Sequence, residues 1–307
     1  MNRSRQIFCL LFSMAIAGLC FPSWAENHGF ENVEIKTIRV AEGVYMLLGQ
    51  GGNIGVSAVE DGVFLIDDQF APLTPKIQSA VSEISDQPIR FLINTHWHFD
   101  HTGGNENLGN EGVVIVAHDQ VRERLKTDQV IEAFQKTIPA SPKAALPVIT
   151  FNDTTTFHLN GQTIHAFHVA PAHTDGDVII HFREANVFHM GDTYFNGFYP
   201  FIDYSSGGSI DGMISAVEQV LALVDENTQI IPGHGPLSNR AELEAYRAML
   251  VAVKTRIKHA IDQNVSLEQL LGCDAMADLD KQWGNGFLKP EQFKTIVYKG
   301  LLSRQEK

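Results

Sequence analysis

The sequence predicts an α/β fold built from two sheet-and-helix halves packed together. Two observations carry this. Runs that alternate apolar and polar residues, the period of two that strands show, lead into segments with helical spacing, and this order of strands then helices occurs twice. The composition agrees: 44% hydrophobic and 19% charged residues in a chain of 307 is a globular make-up with ample core. The sequence contains no low-complexity segment, evident linker or clear repeat.

The first 25 residues stand apart. Arg3 and Arg5 precede an apolar run over residues 7–20, and Ser23 and Ala25 place small residues three and one positions before a cut after residue 25. A basic start, a short apolar stretch and a small-x-small exit describe a secretory signal peptide. At about 14 residues the run is short for a membrane span. Leu19 before Cys20 argues against a lipidated cysteine, and Arg3 and Arg5 are not the adjacent pair of the twin-arginine route. The competing readings are an uncleaved anchor and a buried helix. The expectation is an exported protein, periplasmic or extracellular, made of residues 26–307 and free of the membrane once cut. Cleavage removes two basic and no acidic residues, so the net charge moves from −13 to −15. It also removes Cys9 and Cys20 and leaves Cys273, so the core, or partly a metal, must do what a disulfide cannot. An acidic chain repels phosphate backbones, which argues against a nucleic-acid partner.

Residues 33–68 read as strands: Val33 and Ile35, Ile38 and Val40, then Val44, Met46 and Leu48 keep the period of two. Gly51-Gly52 is a turn, either a plain hairpin tip or a flap over a site. Residues 54–59 and 63–66 flank Asp61-Gly62 as a tight hairpin. Thr74–Ile84 has helical spacing, residues 91–93 form a short buried strand running into His96, and a strand over 113–116 precedes a helix over 119–126. After a proline- and alanine-rich loop at 140–147, strands resume over 155–159, 163–169, 178–182 and 186–189. An amphipathic helix over 210–224, a strand over 229–231 ending at Pro232, and helices over 239–261, Leu267–Leu271 and 290–302 complete the chain.

The chemistry concentrates at Thr95-His96-Trp97-His98-Phe99-Asp100-His101-Thr102-Gly103-Gly104. His96 and His98 are two apart, so in extended chain they point to one side. Asp100 and His101 come where the chain turns away. Four ligand-type side chains in six residues exceed what one tetrahedral zinc takes from so short a piece; two metals sharing the loop account for all four. His173, Asp192 and His234 each follow an apolar stretch and sit near glycine or proline, as loops at strand ends do. Imidazole and carboxylate without thiolate suit zinc, with iron or manganese as alternatives.

This pattern resembles the metallo-β-lactamase superfamily, whose mark is HxHxDH followed by a later His, an Asp and a last His; the match runs in order and spacing along nearly all of residues 26–307. The resemblance implies a four-layer αββα sandwich, a single domain with C-terminal helices, and a metal site along one edge of the paired sheets. Motif by motif it implies His96, His98 and His173 on a first zinc, Asp100, His101 and His234 on a second, and Asp192 bridging both. Two metals roughly 3.5–4 Å apart lower the pKa of a shared water toward neutrality, and the hydroxide attacks a carbonyl polarised by one of them. Asp100 has the further catalytic role of orienting that nucleophile. No serine or cysteine nucleophile is signalled, since Cys273 is far along the chain from every motif.

Asp192 bears on the substrate. β-Lactamases proper of this superfamily usually carry Cys or Ser there, whereas Asp looks more like glyoxalase II, lactonases and general hydrolases of the fold. The GHEY-type stretch of glyoxalase II is replaced by Gly233-His234-Gly235-Pro236. Flavodiiron-type relatives usually carry Glu at the place of His98, persulfide dioxygenases use one iron and fewer ligands, and nuclease relatives need basic surfaces. The expectation is a dinuclear zinc hydrolase of a small ester, thioester, lactone or amide. A β-lactamase is the runner-up, and a periplasmic zinc-binding protein is the non-enzymatic alternative. Oligomeric state stays open.

Other residues read less sharply. Only five of 13 histidines enter the site; His28, His118, His158, His165, His168, His181, His189 and His259 are left out as structural or exposed. Asp67 or Asp68 either supports a ligand or caps a strand end. Asp175 either orients His173 or makes a turn. Tyr194, Phe195, Phe198, Tyr199 and Phe201 either line an apolar pocket or pack a loop, while Trp97 and Phe99 are expected behind the site.

Overall fold

The computed structural model describes residues 29–305; residues 1–25, read above as a secretory signal peptide, and His28 lie outside the described residues. The chain begins with β1 (Lys36–Ala41), β2 (Val44–Leu48), β3 (Ile54–Val59), β4 (Gly62–Ile66), α1 (Thr74–Ile84) and β5 (Ile89–Ile93). Short helices α2 (Phe99–Thr102) and α3 (Asn105–Asn110) lead to β6 (Val114–His118) and α4 (Asp119–Leu125). A small hairpin of β7 (Gln129–Ile131) and β8 (Lys136–Ile138) precedes β9 (Ile149–Phe151). The second half runs β10 (Thr154–Leu159), β11 (Gln162–His168), β12 (Val178–Phe182), β13 (Val187–His189), α5 (Ile210–Leu221) and β14 (Gln229–Ile231). It closes with α6 (Arg240–Asp262), α7 (Leu267–Leu271), α8 (Ala277–Trp283) and α9 (Pro290–Gln305).

A seven-stranded sheet has the order β1-β2-β3-β4-β5-β6-β9, antiparallel as far as β4 and parallel beyond it. A five-stranded sheet has the order β10-β11-β12-β13-β14, with only β13 and β14 parallel. The period of two sorts the side chains into layers. On β4, Phe64 and Ile66 face the second sheet and meet Ile180 and Phe182 of β12. Val63 and Leu65 face outward onto Ile77 and Val81 of α1. Ile179 and Phe188 leave the far face of the second sheet and pack with Met213 and Val217 of α5 and Leu250 and Val253 of α6. The result is the four-layer αββα arrangement. β4 is buried along its whole length because both faces are covered.

Local chemistry sets the helix limits. Ile77, Ala80 and Val81 give α1 one buried stripe. Ser209 Oγ accepts from Gly212 N at the start of α5, and Asn239 caps α6 by accepting from Glu242 N. Ser266 and Gln269 form a reciprocal capping box on α7. The short strands β7, β8 and β9 and the helices α2, α3 and α8 are absent from the sequence reading; none of them is longer than seven residues, too short to show a clear helical or strand period.

Candidate metal centre

Every site residue sits just past the end of a strand. His96 and His98 follow β5, Asp100 and His101 lie in α2, His173 follows β11, Asp192 follows β13 and His234 follows β14. The two sheets thus deliver their loops to one edge of the sandwich. His96, His98, His173 and Asp192 form one group whose ligand atoms lie within 4.8 Å of one another, and Asp100, His101 and His234 form a second. Asp192 faces both: Oδ2 is 3.8 Å from His96 Nε2 and 3.4 Å from His173 Nε2, while Oδ1 is 3.0 Å from His101 Nε2 and 3.4 Å from His234 Nε2.

The outer hydrogen bonds set the tautomers. Nε2 of His98 meets the carboxylate of Asp203 at 3.0 Å, and Nδ1 of His173 meets the carbonyl of Phe201 at 2.8 Å; both partners only accept, so both nitrogens carry protons. Nδ1 of His101 likewise donates to Asp67 Oδ2 at 2.8 Å. Thr95 Oγ1 donates to Asp67 Oδ2, which leaves it to accept from Nδ1 of His96. In the neutral rings the inward nitrogens are therefore lone pairs. His98 Nδ1 and His173 Nε2 face each other at 2.8 Å, and His96 Nε2 is buried with no hydrogen-bond partner. Converging lone pairs beside carboxylates are what a cation requires, so the residues fit a metal.

The electrostatics agree. Burial holds His96 well below the usual imidazole range and His173 down at about 4. Burial also opposes charge on His101 and His234, but Asp192, Asp100 and, for His101, Asp67 outweigh it. His101 is raised well above its ordinary value and His234 to about 9. Burial opposes the ionisation of Asp100 and Asp192, and the neighbouring histidines outweigh it, holding both carboxyls down. In the metal-free protein, protons on His101 and His234 thus supply the missing positive charge.

Glycine makes the crowding feasible. A β-carbon on Gly52 would fall 2.0 Å from the His101 ring, and one on Gly233 would fall 2.1 Å from Asp192 Oδ1. Gly51-Gly52 is the tip of the β2–β3 hairpin, and Gly52 N donates to Asp100 O at 3.1 Å, so the tip is fastened to the site loop.

The open readings now resolve. Asp67 takes the supporting role, whereas Asp68 accepts from Gly104 N at 2.9 Å and holds the loop behind the site. Asp175 forms a bidentate ion pair with Arg124 and does not orient His173; Asp177 accepts from the backbone of His173 and Thr174 instead. The aromatics divide: Phe195, Phe198 and Phe201 line a cavity of about 550 Å³ over the metal centre, while Tyr194 and Tyr199 are buried and bonded to Ser238 and Asp280. Trp97 packs in the core as expected, but Phe99 does not sit behind the site; it lines the cavity with Phe70 because α2 turns it outward. Sequence reasoning missed Asp203, which no linear motif marks. It also missed Phe134 and Lys136 on the β7–β8 hairpin and Phe287 before α9. The run of Val130, Ile131 and Phe134 was the available signal.

Comparison with known proteins gives a consistent result. The model of the Metallo-beta-lactamase superfamily matches residues 49–234. A hydroxyacylglutathione hydrolase of Nitrosococcus oceani is 27% identical over 229 residues, covering 71% of this chain and 78% of that protein. The DIM-1 metallo-beta-lactamase structure aligns with a TM-score of 0.57 at 19% identity, over 71% of this chain and 98% of that one. The sec-alkylsulfatase Pisa1 of Pseudomonas sp. aligns at 0.65 and 14% identity, over 86% of this chain and half of that one. At these identities the two structures share the fold.

Proposed function

The chain belongs to the metallo-beta-lactamase superfamily and is a hydrolase, and from that premise we propose that it is a dinuclear zinc enzyme acting on a small ester, thioester, lactone or amide. The observation that carries this is Asp192, whose two carboxylate oxygens each face one group of histidines. His96, His98 and His173 would hold one zinc, and Asp100, His101 and His234 the other, with Asp192 between them. Bound there, the pair would supply an acidified water and an electrophile for the carbonyl.

The chain supplies the rest. Asp100 and His234 have side chains 24% and 23% exposed and line the cavity together with the more buried His98 and Asp192, whereas His96, His101 and His173 are sealed behind them. Asp100, held ionised, accepts a hydrogen bond from the attacking water and turns its lone pair toward the carbonyl. Asp67 and Asp203 fix the rings of His101 and His98, so the cradle is set before substrate arrives. Asp192, in place of Cys or Ser, and the hydroxyacylglutathione hydrolase relative both favour an ester, thioester or lactone over a β-lactam.

The test is the zinc-loaded chain from Glu26 onward, assayed on a penicillin, a carbapenem, lactones, simple esters and S-lactoylglutathione, with Asp100→Ala as control. Preferred turnover of esters, lactones or thioesters that vanishes in the control supports the reading. Preferred turnover of β-lactams replaces it with a lactamase, and two zinc ions bound per chain with no turnover of anything sinks both. The same reading holds that residues 1–25 direct export and are removed; a secreted product that does not begin at Glu26 contradicts it.

A further inference from the structure

The cavity over the candidate metal centre has an aromatic wall. Beyond His98, Asp100, Asp192 and His234 it is built largely of phenylalanine, with Phe99 on one side and Phe134, Phe201 and Phe287 on another. Phe134 stands between the last two, its ring centroid 4.8 Å from Phe201 and 5.6 Å from Phe287. Phe287 is 68% exposed, a large apolar ring held at the rim in water. Such exposure at a cavity mouth marks a surface that a ligand covers.

One cation stands in this wall. The Lys136 ammonium lies 3.8 Å above the centre of the Phe99 ring, and among the described residues no carboxylate pairs with it. Lys136 is carried by β8, in register with Ile131, which lines the same cavity. The ring face is its partner, and its hydrogen-bond donors are open to a ligand. The next residue along from the stacked ring is Asp100, so the cation belongs to the reaction cavity.

We propose that the cavity takes an anionic amphiphile: a substrate whose hydrolysable bond lies at the metal centre, whose alkyl or aryl part lies among Phe134, Phe201 and Phe287, and whose anionic group is held by Lys136. This deepens the hydrolase reading and rests on its assignment of the cavity. A peptide-like thiol carrier offers no apolar part to such a wall; an acid with a hydrocarbon chain or ring does.

Equilibrium binding tests the proposal apart from turnover. Octane-1-sulfonate and octan-1-ol are titrated into the zinc-loaded protein by calorimetry, for the native chain and for Lys136→Met and Phe287→Ala. Both substituted side chains are exposed, so neither change opens the core. The sulfonate should bind the native chain about fivefold more tightly than the alcohol, the size of a partly screened charge pair. Lys136→Met should erase that difference and Phe287→Ala should weaken both ligands about threefold to tenfold. Equal affinities in the native chain, or a preference that survives Lys136→Met, overturns the anion half. Affinities untouched by Phe287→Ala overturn the apolar half. A chain that hydrolyses nothing yet binds as expected refutes the assigned reaction and leaves the recognition standing.

Discussion

Asp203 Oδ2 lies 3.0 Å from Nε2 of His98, on the side of the ring away from the metal centre. The carboxylate is almost wholly enclosed and is held in turn by the hydroxyls of Ser205 and Ser206. It decides that His98 presents Nδ1 rather than Nε2 to the cluster. Replacing Asp203 with Ala frees the ring, and zinc affinity should fall about 10- to 100-fold, as for other outer partners of ligating histidines. Competition against a chromophoric chelator measures this. Asp203→Asn, which still accepts from Nε2, should recover part of the loss; an unchanged affinity in Asp203→Ala would show that the bond does not orient the ring.

Gly233 and Asp192 approach too closely for any side chain between them. Gly233→Ala puts a methyl 2.1 Å from Asp192 Oδ1 and 2.5 Å from the carbonyl carbon of Gly191, so it must displace the carboxylate that faces both histidine groups and shift the turn that carries it. The variant should fold, with an unchanged far-ultraviolet circular dichroism spectrum, yet bind fewer than two zinc ions. Retention of two by elemental analysis would place the bridging role elsewhere.

Metal binding should release protons. With His234 raised to about 9 and His101 raised well above its ordinary value, both favour the charged form near neutral pH before a cation arrives. Zinc must displace those protons, so about two should appear per chain on loading. The sign follows: protons compete with the cation, so affinity falls as pH drops and rises through the His234 titration near 9. Calorimetry in buffers of differing ionisation enthalpy gives the count, and a release near zero would contradict the charge balance of the metal-free site.

Acid stability should depend on His181, which lies in β12 and belongs to neither group of ligand-type residues. Its ring stacks on Phe188 at 3.9 Å, and burial, aided by Arg183 and His165, pushes its pKa down to about 4. The folded pKa lies below the unfolded one of 6.5. The stabilising contribution is therefore whole above pH 6.5 and is lost as pH falls toward 4. In urea unfolding, His181→Gln should show a shallower decline in midpoint between pH 7 and pH 4.5 than the native chain. Parallel declines would remove His181 from the account.

Much of this protein was legible along the chain because its signals are local. Period-two runs marked the principal strands, helical spacing marked Thr74–Ile84 and Leu267–Leu271 to the residue, and HxHxDH put four ligand-type groups within six residues. His173, Asp192 and His234 could be matched through a family pattern, since each follows an apolar run that must be a strand.

The tertiary structure decided what depends on segments distant in sequence. Asp203 supports a histidine 105 positions earlier, which only the packing of two loops can bring about. Asp177 rather than Asp175 braces His173, because the turn after residue 173 aims one carboxylate inward and the other at Arg124. The cavity draws Phe99 from α2, Lys136 from β8 and Phe287 from the loop before α9, and no short window of sequence contains them together. Backbone periodicity and ligand spacing are written in neighbouring residues, so the sequence determined the fold class and the metal-binding chemistry. Side-chain orientation and cavity shape arise from contacts between loops, so only the folded chain determined what the metal centre can be offered.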